Sequence, residues 1–448
     1  MLPLPSAAEP LFLNLSVAFT QPTFQRAVLL AVGTIVALGR RTVSRLLWTM
    51  RESLDAHAST YHRVFSRAVW SLWALGKVLA TAILAFLPPD QPVLVPLDDT
   101  VAQHRGPRVY GKGRHRDAVR STHSLTVWRW GHRWIVLAIS VQFPFLSRPW
   151  ALPVLAALYR PEELNRKEGR RHKTAPRLAR QLMAVLMHWF PQRTFIFLGD
   201  GGYASHELAA FCHRHRRHAT LVSRFWPDAN LYTPPPKRTP RTGRPPKKGR
   251  KLPSPQQVVS HSPRTKGTVR WYGGGSRRVE WVSGTAHWHK AGQGLVPVRW
   301  VFVHDLQGTH RDEYFYTTDP NLTAPQIISL FTARWSIETT FQEVRAHLGF
   351  ETTRQHVARS VLRTAPCLLG LFSLICLILA QHARHHRLRP HGTAWYAKAE
   401  LTFSDALTTV RRLLWSQTLL KQSPHAKAFT KLPRRFQRVL LDCLIQAA

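Results

Sequence analysis

Acidic residues are scarce in this chain of 448: 24 Asp and Glu stand against 63 Lys and Arg, a formal charge of +39 beside 24 histidines. Such an excess repels itself unless a polyanion neutralises it, which makes nucleic acid the expected partner. It also leaves few acids for any carboxylate chemistry. Cysteine is rarer still. Cys212, Cys367, Cys376 and Cys443 show no Cys-x2-Cys spacing, which excludes a disulfide framework and a cysteine zinc site and points to a reducing compartment. Long apolar runs are missing too. Residues 27–38 are too few to span a bilayer, and residues 365–380 make only 16 with Pro366 and Gly370 among them, whereas a span needs about 20. Both read as buried core helices, so no membrane partner is expected. The first ten residues lack the basic start of a signal peptide, and a cytoplasmic location is expected.

With 44% apolar and 19% charged residues the chain is globular and long enough for several domains. Residues 1–88 carry short helical patterns. Helical spacing over 22–38, a break at Gly39 and a second helix over 42–54 outline either a DNA-binding helix-turn-helix, with Ser44 and Arg45 facing DNA, or a bundle packed on the remainder of the chain. Residues 89–225 read as mixed α/β. Buried strands are expected at 91–97, 125–130, 134–142, 194–198 and 220–225, with helices from a Thr174 cap to about 190 and from 205 to 217. Residues 226–318 read as a small antiparallel β insertion. Its loop 233–255 is rich in proline and cations; within it, 237–251 hold eight Lys or Arg and no acid. Arg244, Lys247, Lys248, Arg250 and Lys251 there are expected to contact DNA phosphates. Residues 319–390 carry a long helix capped by Thr323 and the apolar helix; residues 391–448 are helical.

Three acids are placed unusually. Asp99 and Asp200 each follow a buried strand, where ligands gather in open α/β sheets, and parallel neighbouring strands would make them converge. The plain alternative for each is a turn residue or helix cap. Glu338 lies among Trp335, Ile337 and Phe341 on a helix, four residues after Arg334 and on the same face. Pairing with Arg334 would account for it; so would joining the two aspartates around metal. Three convergent carboxylates can hold two Mg²⁺ ions for in-line phosphodiester displacement. The tryptophans of the β insertion, Trp271, Trp281, Trp288 and Trp300, could either stack on a flipped base or pack the sheet.

LDDT at 97–100, FLGDGGY at 197–203 and FTARWSIETTFQEVR at 331–345 resemble the three motifs of DDE transposases from bacterial insertion sequences, in the cut-and-paste group with a β-strand insertion and a Tyr-x2-Arg-x3-Glu-x6-Lys signature. The resemblance covers roughly 90–380. It implies an RNase H-like core formed by 89–225 and 319–390, with Asp99, Asp200 and Glu338 holding two Mg²⁺ or Mn²⁺ ions. It further implies Arg334 on DNA near the scissile phosphate, double-stranded transposon ends and target DNA as partners, and a homodimer on the bacterial nucleoid. Phe331 stands where the family has Tyr, and Arg345, assigned to DNA, where it has Lys. Asp98 competes for the first position; Asp99 is preferred because the family's aspartate directly precedes Thr. The alternatives are a DNA-binding remnant or repressor without catalysis and an RNase H-like nuclease without strand transfer.

Overall fold

The computed structural model describes residues 2–117, 121–122, 124–236, 246–392 and 397–446. Its centre is a mixed sheet, eleven-stranded among the described residues. The strands are β1 (Val93–Gln103), β2 (Gly113–Arg116), β3 (Trp128–Val141), β4 (Trp150–Tyr159), β5 (Phe195–Gly199), β6 (Ala219–Arg224), β7 (Leu231–Tyr232), β8 (Thr265–Arg270), β9 (Ser276–Lys290), β10 (Gly294–Asp305) and β11 (Glu313–Thr317). Five of them run in the order β4-β3-β1-β5-β6. β3 is antiparallel to β1 and to β4, whereas β1, β5 and β6 are parallel. This is the RNase H-like arrangement. The near-continuous apolar runs of β1 and β5 suit strands covered on both faces.

The β insertion is not a separate sheet. β11 pairs antiparallel with β6, and β10, β9 and β7 continue outward, so one sheet runs through both regions. The pairing covers what would otherwise be the open edge of β6. Several element expectations are corrected. The expected strands at 125–130 and 134–142 are one strand, β3. β1 extends past residue 97, so Asp98 and Asp99 lie within the strand rather than beyond it. β4 was not expected: WALPVLAALY has the alanines and proline of another element, yet it lies along β3 as a buried strand.

Helices cover the sheet. Ala175–Trp189 begins at the Thr174 cap, and His206–Arg214 at a Ser205 cap. The long helix expected from Thr323 is two, Ala324–Ala333 and Ser336–His347, broken at Arg334 and Trp335. Ile327, Ile328 and Phe331 of the first pack against Leu198, Val222, Val301 and Phe315 of the sheet. Each such buried side chain contributes roughly 1.5–3 kcal/mol. Ala358–Ala383 is long and apolar enough to cross a membrane, but most of its apolar stretch is buried inside the protein, where it packs on β4. The helix Gln21–Val36, a turn at Gly39 with φ of 73°, and the helix Val43–Thr49 form the N-terminal pair. Their apolar faces join the main core, while Ser44 and Arg45 are exposed.

Candidate active site

The parallel register of β1 and β5 pairs Leu97 with Gly199. Asp98 and Asp200 are the next residues along the two chains, Asp98 still within β1 and Asp200 just past the end of β5. Adjacent strand residues face opposite sides, so Asp98 and Asp99 part company. Asp98 is buried, and its Oδ2 accepts a 2.5 Å hydrogen bond from Nη1 of Arg334. The other terminal nitrogen of the same guanidinium, Nη2, donates to Oε1 of Glu338 at 2.8 Å. Asp200 sits within electrostatic range of Arg334 and of both Asp99 and Asp98. Its Oδ1 accepts from the Gly202 amide at 2.9 Å, and its carbonyl accepts from Ser223 Oγ at 2.9 Å. The turn at Gly201–Tyr203 thus orients the carboxylate on which β5 ends.

Asp99 has another partner. Arg133 of β3 grips it with two parallel hydrogen bonds of 2.7 Å, from Nε to Oδ2 and from Nη2 to Oδ1. Tyr203 Oη adds a third at 3.1 Å. Bidentate Arg–carboxylate pairs of this kind are strong and directional. Burial lowers the basicity of Arg133, but the bond to Asp99 outweighs it and leaves the guanidinium above its ordinary range. Arg133 was not singled out from the sequence; the local signal is a cation among apolar and aromatic residues, and Arg129 in the same strand gives the same one.

Charge is concentrated here. Burial pushes the Asp98 carboxyl well above the usual range; Arg334 opposes this, and Asp200, Asp99 and Glu338 reinforce it. Burial raises Asp200 too, again against Arg334. Arg334 loses basicity to burial but gains more from Asp98, Glu338 and Asp200. Its Nε is buried without a hydrogen-bond partner. Among the described residues no three of His, Cys, Asp and Glu stand at the mutual spacing of an ion site. The Arg334 guanidinium lies between Asp98 and Glu338 where a cation would be drawn.

The remaining expected residues fall in different places. Arg345 reaches back to β1, donating to Thr100 Oγ1 and lying 3.6 Å from Glu351, which in turn accepts from the Gln103 amide at 3.2 Å. It braces the strand that carries the aspartates. Phe331 is buried and stacks on Phe315 with ring centroids 4.1 Å apart, so the position has no route to a phosphate. Lys247, Lys248, Arg250 and Lys251 are exposed on the β7 side, and Lys248 donates to Tyr232 Oη at 3.1 Å. Arg244 lies outside the described residues. Trp271, Trp288 and Trp300 are buried and Trp281 is partly so: they pack the sheet.

The profile described as DDE superfamily endonuclease matches residues 14–286, well over half of the chain. A second, described as "Archaeal putative transposase ISC1217", matches residues 294–380. No curated protein matches. Among solved structures, a piggyBac transposase synaptic complex with hairpin DNA aligns at 10% identity and a TM-score of 0.41, covering 98% of this chain and 81% of that one.

Proposed function

The chain belongs to the DDE superfamily endonucleases, and from that premise we propose that it is a transposase that cuts and rejoins the ends of its own mobile element. The reading extends to an insertion sequence of the Tyr-Arg-Glu-Lys type, acting as a homodimer on double-stranded transposon ends and target DNA in the bacterial cytoplasm, at the nucleoid. The observation that carries it is the meeting of Asp98, Asp200 and Glu338 around Arg334, from three segments far apart in sequence. We assign Asp98 rather than Asp99 as the first metal ligand. Asp98 shares the Arg334 guanidinium with Glu338, and its Oδ1 accepts from the Asp99 amide, whereas Asp99 is turned to Arg133 and Tyr203 and has no bond to Arg334 among those described.

The donors suit Mg²⁺ or Mn²⁺ in kind, with the Arg334 guanidinium now standing between Asp98 and Glu338. They are all hard carboxylate oxygens, and Asp200 and Glu338 both disfavour the charged form of Asp98, a repulsion that a bound cation would relieve. Bound there, the ions would activate the attacking hydroxyl and stabilise the leaving oxygen of a phosphodiester. The protein's own residues do the positioning. Arg334 holds Asp98 and Glu338 across one planar group and is placed to fork onto a phosphate. Arg133 and Tyr203 lock Asp99, and Arg345 braces Thr100, so β1 cannot shift beneath the carboxylates. Arg244, Lys247, Lys248, Arg250 and Lys251 contact phosphates away from the cut.

The test is divalent-dependent nicking of a duplex containing the DNA that flanks the gene, run beside a gel shift. Asp98→Asn, Asp200→Asn and Glu338→Gln should each lower nicking by orders of magnitude and keep end binding. Asp99→Asn should be milder. Full nicking by Glu338→Gln would refute the mechanism. Equal losses at Asp98 and Asp99 with both variants folded would return the first position to Asp99. Nicking without joining identifies a nuclease, and binding without nicking a DNA-binding remnant.

A further inference from the structure

Trp128 and Trp130 are exposed at 48% and 56%, unlike the buried tryptophans of the β insertion. Both lie on β3, two residues apart and so on one face. Each carries a cation: Arg114 lies 4.6 Å over the Trp128 ring and Lys112 lies 5.5 Å from the Trp130 centroid. β2 holds this pairing, with Arg114 opposite Trp130 and Arg116 opposite Trp128. The rings border an open cleft of about 460 Å³ lined also by Gln103, His104, Arg105 and Arg129, with no acid among the described residues of its wall.

By strand parity Trp128 and Trp130 stand on the face of the sheet that carries Asp98, with the buried His132 and Trp134 between the rings and that carboxylate. β1 and β3 pair Asp98 with Val136 and Thr100 with Trp134. Directly paired residues share a face, and the period of two carries that face on to Trp130 and Trp128. Six residues of strand separate Val136 from Trp130, about 20 Å at roughly 3.3 Å each.

We propose that Trp128 and Trp130 form a stacking platform for unpaired bases of a DNA strand leaving the carboxylate site, with Arg105, Lys112 and Arg114 on its phosphates. The proposal rests on the reading that the chain cuts DNA. A duplex offers this surface only phosphates and base edges, for which the cations suffice. Flat exposed indoles beside cations suit bases freed from the stack, whatever their sequence. A cationic wall without acids favours a polyanion over an apolar protein segment.

The test compares the binding of a blunt end-containing duplex with that of the same duplex bearing an unpaired tail, for wild type, Trp130→Ala, Trp128→Ala and Trp130→Phe. Stacking on one aromatic is worth roughly 5- to 150-fold in affinity. Each alanine variant should lose about that on the tailed duplex and nothing on the blunt one, with an unchanged melt. Trp130→Phe should retain most of the binding. The wild type should bind the tailed duplex more tightly than the blunt one once the tail is long enough to reach the two rings. Equal affinities of wild type and alanine variants for the tailed duplex, or equal losses on both duplexes, would overturn the platform and leave the cutting reading intact. Failure of the wild type to bind either duplex would overturn both.

Discussion

Arg334 holds two carboxylates with one guanidinium, and its side chain and that of Asp98 are 9% and 12% exposed. Removing one partner of such a pair strands the other, at about 3–5 kcal/mol, while removing both charges costs far less. Arg334→Ala should therefore lower the urea midpoint markedly, and Asp98→Asn in that background should recover part of the loss. An unchanged midpoint in Arg334→Ala would mean that the pair contributes nothing to folding. Asp200, Glu338 and Arg334 were legible as a group. Asp200 follows an apolar strand and precedes glycines, and Glu338 lies one turn beyond a cation on a helix with core residues around it. Which of Asp98 and Asp99 meets Arg334 was not legible. Two neighbours in a strand point to opposite faces, and which face is the site depends on the pairing of β1 with β5, a partner about a hundred residues away. Arg133 was hidden for the same reason, since only the β1–β3 register brings it to Asp99.

Elements with their own signals were readable, and those defined by partners were not. The caps at Thr174 and Ser205 mark helix starts locally, through hydroxyls that accept from Arg177 and Leu208 amides. β4 has no such mark, and the break at Arg334 divides a helical pattern that is continuous in sequence. The β1–β3 contact depends on Gly131, opposite Gln103: a Cβ there would stand 2.1 Å from the Ala102 carbonyl oxygen. Backbone cannot yield as a side-chain end can, so Gly131→Ala should destabilise by about 1–3 kcal/mol, read by urea denaturation; an unaltered midpoint would show that the strands part freely. Asp405 gives the C-terminal helix Phe403–Leu414 a pH dependence. It is buried and accepts from Lys398 Nζ at 2.5 Å and from the amides of Thr402 and His391, both at 2.8 Å. Burial raises its carboxyl, but the bonds to His391, Lys398 and Thr402 dominate and hold it well below the ordinary range. A depressed carboxylate stabilises above its unfolded value, about 3.9, and loses that contribution as pH falls toward the folded one. Asp405→Asn should thus be less stable than wild type at pH 7, by about 1–3 kcal/mol. The gap should narrow below about pH 4. A gap that stays constant on acidification would assign the loss to packing.

At the scale of the whole molecule the charge of +39 on 448 residues dominates. Its few carboxylates are mostly spoken for: Asp98, Asp99, Glu168, Glu280, Glu313 and Asp405 all pair with Arg or Lys. Many cations therefore remain for phosphate, and binding should be driven mainly by the release of counterions from DNA. If 6–10 phosphates are contacted, affinity should fall by roughly 10³–10⁵ between 50 and 200 mM salt. The exposed cations 247, 248, 250 and 251 provide an internal check, because each phosphate contact contributes about 0.9 to the slope of log affinity against log salt. Replacing all four with alanine should flatten that slope by up to about 3.6 if each one meets a phosphate. The melt should not change, since the four side chains are exposed and only Lys248 is held, at Tyr232. The same variant should lose affinity equally for end-containing and unrelated duplexes, because phosphate contacts carry no sequence information. A wild-type isotherm that is flat across this salt range would remove the electrostatic account altogether. A slope left untouched by the fourfold variant would move the contacts to other basic surfaces, and selective loss on the end-containing duplex would make the loop a reader of bases.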